Sequence, residues 1–207
     1  MKKAFTLLEL VFVIVVIGIL AALIIPRAES NPLREAAIQL LSDIRYTEHL
    51  AMVDDKYDRS KANWYRARWQ IYFKQDNGDL VYTIYSDKDL DGVSTAPNPD
   101  AGEIAKDPTS SKDLTGDSLY STTKIDSMNL SKKYGVVVSN MNNLMSGGCA
   151  QMQRLFFDHM GRPLLRSETS TTHQLLHTTC TITLTDANNN SISLSVEPET
   201  GYVKINN

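Results

Sequence analysis

The chain has 207 residues, 42% of them hydrophobic and 22% charged, with a formal net charge of −3. Setting aside an apolar N-terminal segment, about 150 residues remain, enough for one globular domain with its own core. Mean hydropathy is negative, which argues against a polytopic membrane protein. The acidic balance leaves no basic footprint for stable nucleic-acid binding, though it is compatible with brief contact through a local patch.

The chain opens Met1-Lys2-Lys3-Ala4-Phe5-Thr6-Leu7-Leu8-Glu9-Leu10 and then runs uncharged from Leu10 to Ile25 before Pro26. Phe5 to Ile25 is about 21 residues, or about 31 Å as a helix, matching a hydrocarbon core about 30 Å thick. Residues 5–25 are therefore expected to cross a membrane once, with Lys2 and Lys3 left on the cytoplasmic side. Three fates compete: a cleaved secretory signal, an ordinary signal anchor, and a processed helix that stays in the protein. Ile25-Pro26-Arg27-Ala28-Glu29 makes a poor small-x-small cleavage site. Ala4 precedes the apolar run, and a cut there removes only a leader of residues 1–4. A charge at the centre of a membrane helix costs about 2.5–3.5 kcal/mol; Glu9, near the N-terminus, is placed where the helix dipole favours an anion. Gly18 and Pro26 are the weak points of this helix.

Residues 26–55 read as an amphipathic continuation. Leu33, Ala37, Leu40, Leu41, Ile44 and Ala51 lie near one stripe, with Arg34, Glu35, Asp43, Arg45 and Glu48 mostly elsewhere. Asn31-Pro32 has the chemistry of an N-cap followed by N1 and predicts a break or kink near residue 31. His49 reads as a surface or interface residue.

Residues 56–207 read as a β-rich head. Trp69 to Gln75 and Leu80 to Asp87 alternate, and Asp76-Asn77-Gly78 between them is a strong hairpin signal. Further strands are expected over 134–140, 154–165, 180–186, 191–197 and 201–207, with turns at 188–190 and 199–201. Residues 94–131, rich in Pro, Ser, Thr, Asp and Gly, predict a long loop.

Within the head, Asp87-Lys88-Asp89-Leu90-Asp91-Gly92 starts like a calcium loop, with carboxylates at alternate positions and Gly at the turn. The bidentate Glu of an EF-hand is missing, since that place holds Asn98. Asp100 and Glu103 would substitute only in another geometry. The candidate cofactor is therefore calcium at Asp87, Asp89 and Asp91, against an acidic solvated turn that binds nothing. Cys149 and Cys180 read as a disulfide if the domain lies outside the cytoplasm, and otherwise as two buried thiols. His173 and His177 would align on a helix, but no third ligand presents itself. Trp64 and Trp69 with Arg66 and Arg68 are explained by strand core and snorkelling arginines. No nucleophile elbow, phosphate loop or Cys-His spacing is present, and no enzymatic activity is expected.

Lys2 to Leu10, followed by the apolar run, resembles the processing signal of type IV prepilins and type II secretion pseudopilins. That family has a short basic leader, a Gly, then Phe-Thr-Leu-x-Glu; here Ala4 stands where Gly is favoured. The resemblance implies that a prepilin peptidase cuts between Ala4 and Phe5 and N-methylates Phe5. It also implies assembly into a filament in which the Phe5 amine of one subunit meets Glu9 of its neighbour. Two unit charges about 4 Å apart attract by about 4 kcal/mol at an effective dielectric of 20. Tyr85-Ser86-Asp87-Lys88-Asp89, Phe157-Asp158-His159-Met160-Gly161-Arg162-Pro163 and the closing Thr200-Gly201 strand are similar to segments of H-type minor pseudopilins and their minor-pilin relatives.

The implied fold is α+β and type IV pilin-like: one long N-terminal helix, half membrane and half amphipathic, packed on an antiparallel sheet. The implied partners are other pilin or pseudopilin subunits, the peptidase, an inner-membrane assembly platform and membrane lipid. The implied location is the bacterial inner membrane, single-pass, with the head periplasmic. A signal-anchored periplasmic binding module for calcium or a small ligand, which never polymerises, is the alternative.

Overall fold

The computed structural model describes residues 6–24, 31–90, 99–100, 102–166 and 173–206. They fall into two compact units, Met1–Asn31 and Pro32–Asn207.

The expected single long N-terminal helix does not form, and the type IV pilin-like fold expected from it is corrected. There are two separate helices, α1 (Leu7–Ile24) and α2 (Pro32–Val53), of 18 and 22 residues. Pro32 opens α2 at the position where its missing N–H and fixed φ are tolerated. The head holds two antiparallel sheets, where one was expected.

Among the described residues, no helix is long and apolar enough to cross a membrane. At 1.5 Å per residue α1 reaches about 27 Å, short of the roughly 20 residues that a span needs, and its first turn carries Glu9. The single-pass span expected over residues 5–25 is therefore not supported, nor is the inner-membrane location with a periplasmic head that rested on it. Phe5 and Ile25, on which the expected length depended, lie outside the described residues, as does the leader.

In the Pro32–Asn207 unit, β1 (Gln70–Asp76) and β2 (Asp79–Tyr85) form the expected hairpin, with Asp76 opposite Asp79. Asn77 and Gly78 take φ of 51° and 91°, as a two-residue hairpin turn with right-handed twist requires. Residues beyond Asp100 are not a free loop. They run along the outer edge of β2 through bridges Tyr85↔Ile104, Thr83↔Thr115 and Val81↔Asn129, covering an edge that would otherwise be open to pairing. The short helix α3 (Leu130–Tyr134) ends at Gly135, which is left-handed at φ 71°. The strand expected over 134–140 is reduced by this stop to one bridge, Val136↔Asp186.

The remaining strands are β3 (Met145–Gly147), β4 (Arg154–Phe157), β5 (Pro163–Arg166), β6 (His173–Leu175), β7 (Cys180–Thr185), β8 (Ser191–Val196) and β9 (Val203–Asn206). One sheet runs β2-β1-β4-β5-β6 and the other β3-β7-β8-β9. Cys149 and Cys180 are joined in a disulfide, tying the chain after β3 to the start of β7. In the chain-entropy model a loop of this length contributes about 3.7 kcal/mol.

The apolar stripe of α2 is buried as its period predicts: Leu33, Ala37, Leu40, Ile44 and Ala51 are all in the core. Asp43, which the sequence places off the stripe, is buried too. Its carboxylate accepts hydrogen bonds from the Tyr82 hydroxyl at 2.5 Å and from Gln39 at 3.0 Å. Burial pushes the Asp43 carboxyl above its ordinary 3.8; the two hydrogen bonds pull it down less strongly, and Asp107 adds a smaller upward push. The fold therefore favours the neutral acid, and the associated stability is complete below the unfolded-state pKa and lost as pH rises through the raised native value.

Glu48, one turn further along α2, lies over two glycines. A Cβ on Gly161 would stand 2.8 Å from Glu48 Oε1, and one on Gly201 would stand 2.4 Å from the Gly161 carbonyl oxygen. Both glycines have φ near +70 to +80°. The Phe157–Pro163 turn and the Thr200-Gly201 turn, singled out in the sequence as family-like, thus meet at one crowded point beneath α2.

Two measurements test these joints. Asp43→Asn, which keeps an acceptor but removes the titration, is expected to be as stable as the parent or more so at neutral pH. It should also flatten the loss of stability seen as pH rises above the ordinary carboxylate range in denaturant unfolding, whereas Tyr82→Phe should cost about 1–3 kcal/mol. Gly201→Ala is expected to cost at least about 2 kcal/mol in thermal unfolding. Gly78→Ala, where a Cβ meets nothing within 4 Å, should cost only the left-handed backbone penalty of about 1–2 kcal/mol.

Candidate functional site

Thr6 and Glu9 form a reciprocal cap at the start of α1. The Thr6 hydroxyl oxygen accepts the Glu9 N–H at 3.3 Å, while Glu9 Oε2 accepts the Thr6 N–H and the Thr6 hydroxyl proton, each at 3.1 Å. This capping box satisfies two donors that a helix start otherwise leaves open. Glu9 therefore has an intrachain role that the sequence reading did not assign to it. Thr6 was missed altogether, although its signal, Thr-x-x-Glu before an apolar run, is present in the residues themselves. Among the described residues Glu9 Oε1 makes no protein hydrogen bond. Ala4 and Phe5, the expected processing site, lie outside the described residues.

Beyond the cap, α1 has no polar face. Leu7 and Leu8 are each 81% exposed and Phe12 69%, and Ile14, Ile17 and Ile19 are exposed as well. A helix that is apolar all round is normally buried by something.

Of the three carboxylates expected to hold calcium, Asp87 and Asp89 are brought together, and Glu103 joins them; Asp91 lies outside the described residues. One oxygen of each of Asp87, Asp89 and Glu103 falls within 4.8 Å of the others. Asp87 and Glu103 are buried and Asp89 is exposed. Three carboxylates suit a hard dication in kind, but calcium takes six to eight oxygens. Both Glu103 oxygens already serve the backbone: Oε1 accepts from Lys88 N–H and, at 3.3 Å, from Asp89 N–H, and Oε2 accepts from Asp100 N–H at 3.3 Å. Burial raises the Glu103 carboxyl, and these amides partly offset the rise. The arrangement pins two stretches of loop together, whatever else it does.

His173 belongs to strand β6, so the helical alignment with His177 does not arise, and His49 and His177 are exposed. Trp69 is core, with Nε1 donating to Asp54 at 3.0 Å. Trp64 is half-buried on a 3-10 turn rather than a strand, edge-on to Tyr57 at 5.1 Å, with the Arg68 guanidinium over its ring at 4.8 Å.

Comparison with known proteins gives no match: no family model, no curated protein and no solved structure is similar to this chain.

Glu103→Gln separates the two roles of the carboxylate cluster. Measured with chelator present, it is expected to be less stable than the parent by about 1–3 kcal/mol, because a buried amide N–H loses its acceptor. Equal stability in chelator would mean that the Glu103 carboxylate does not pin the loop.

Proposed function

We propose that this chain is a minor subunit of a filament of the type IV pilus or type II secretion pseudopilus class, assembled through α1. The supporting observation is α1 itself, exposed and apolar on all sides, with its single carboxylate held at the first turn by Thr6. The start of the helix is capped within the chain, whereas its sides require cover, and like helices of neighbouring subunits supply that cover by close apolar packing. Glu9 uses Oε2 for its own cap and leaves Oε1 for a neighbour's Phe5 amine. The resemblance of Lys2 to Leu10 to a prepilin processing signal supports the same reading.

A second reading, a calcium-binding module that does not polymerise, is favoured by the convergence of Asp87, Asp89 and Glu103. It predicts an uncut N-terminus and heat on calorimetric titration with calcium.

Mass spectrometry of the chain isolated from its native host decides first. The expected mature terminus is N-methylated Phe5; an intact Met1 or Lys2 would refute the filament reading. Glu9→Ala is then expected to abolish incorporation into filaments while leaving the Pro32–Asn207 unit folded, as judged by an unchanged thermal transition.

A further inference from the structure

Between α3 and β3 the chain hydrogen-bonds the edge of β7 twice. Val137 N–H donates to the Thr185 carbonyl at 2.8 Å, and Thr183 N–H donates to the Leu144 carbonyl at 2.9 Å. Between these pins, residues 138–143 bow away from the strand. The bow is held in shape from both sides: Gln75 Nε2 donates to the Val138 carbonyl at 2.8 Å, and the Asn140 side chain accepts the Asn142 N–H at 2.9 Å. The space left between bow and strand is a cleft of about 460 Å³, within the range of roughly 300–1,000 Å³ typical of small-molecule sites. It exists without a ligand, because both of its walls are anchored by the fold.

The lining says what such a cleft would take. Ser139, Asn143, Thr183, Thr185 and Asn189 present hydroxyls and amides to it, and among the described residues these side chains make no hydrogen bond to the protein. No cationic residue lines it, so an anionic ligand finds no counter-charge. Its one carboxylate, Asp186, is engaged by Asn188 N–H at 2.8 Å and Asn190 N–H at 2.9 Å, so a cation finds little free charge either. Val137, 49% exposed, supplies a small apolar contact. The other cavity of note, about 190 Å³ beside Lys124 and Lys133, is smaller and is shared with Asp126.

We propose that the cleft between residues 137–144 and the β7–β8 hairpin is a binding site for a neutral, hydroxyl-rich ligand, a saccharide of about two residues. Hydroxyls that both donate and accept match side chains that both donate and accept, and the carbon-bound face of a sugar ring matches the exposed side chain of Val137. The site lies within the Pro32–Asn207 unit and uses nothing of α1, so it stands or falls apart from filament assembly.

The test is a titration of the isotopically labelled full chain, kept in solution by a zwitterionic detergent, with maltose, cellobiose and lactose, followed by amide chemical shifts. At least one disaccharide is expected to shift the amides of 137–143 and 183–189 with a Kd on the order of 1 mM. Asn143→Ala and Thr185→Val, both at the cleft wall, should each weaken that binding about fivefold with the remaining spectrum unchanged. Shifts that are absent for all three sugars, or that fall elsewhere, would overturn the proposal. So would variants that bind as the parent does, or inorganic phosphate producing the same pattern.

Discussion

The Pro32–Asn207 unit depends on one constraint: its two sheets share a single helix as their common support. Along α2, two polar contacts and one close steric contact reach them. Asp43 takes the Tyr82 hydroxyl from β2 in the first sheet, and Arg45 donates to the Val203 carbonyl of β9 in the second at 3.0 Å. Glu48 then lies over Gly161 and Gly201, one from the turn between β4 and β5 and one from the turn leading into β9. Apolar packing along Leu33, Leu40 and Ile44 supplies most of the stabilisation, but it is non-directional. A helix held by packing alone can slide or rotate with modest loss. Contacts fixed to named atoms on both sheets hold it in one setting.

That division explains what could be read from the sequence. The stripe of α2 shows in its 3.6-residue period, and the β1–β2 hairpin shows in Asp76-Asn77-Gly78, because each is set by residues close in sequence. The disulfide was legible only as two cysteines and a compartment argument. By contrast Asp43 looked like a solvent-facing charge, and only the arrival of Tyr82, thirty-nine residues on, makes its burial tolerable. The two glycine turns drew attention as family-like motifs, yet their structural content is steric: a Cβ on Gly201 would meet the Gly161 carbonyl and Glu48, and one on Gly161 would meet Glu48 and Met52. The division into two sheets was not legible, since alternation reports that a strand has two faces and not which strand it pairs with.

The same limit affected the candidate site. The calcium-like spacing of Asp87, Asp89 and Asp91 is a local pattern, and it placed two of the three clustered carboxylates. Glu103 joins them because its strand-edge segment is drawn back along β2 by the Tyr85↔Ile104 bridge, a contact with no local signature. In the N-terminal unit the error ran the other way. The apolar run dominated the reading so strongly that a plain local signal, Thr6 three residues before Glu9, was passed over.

That capping pair changes how the carboxylate at the head of α1 should be regarded. A cap of this kind stabilises a helix start by about 1 kcal/mol, whereas a charge pair with a neighbour's amine at about 4 Å has an interaction of about 4 kcal/mol at an effective dielectric of 20 before desolvation is deducted. The two do not compete, because the Thr6 contacts use one carboxylate oxygen and leave the other. They reinforce each other: a side chain already held by two hydrogen bonds loses less rotamer entropy when a partner arrives. In the proposed filament Thr6 is a positioning residue for the Glu9 contact, because the cap already shapes the first turn of α1.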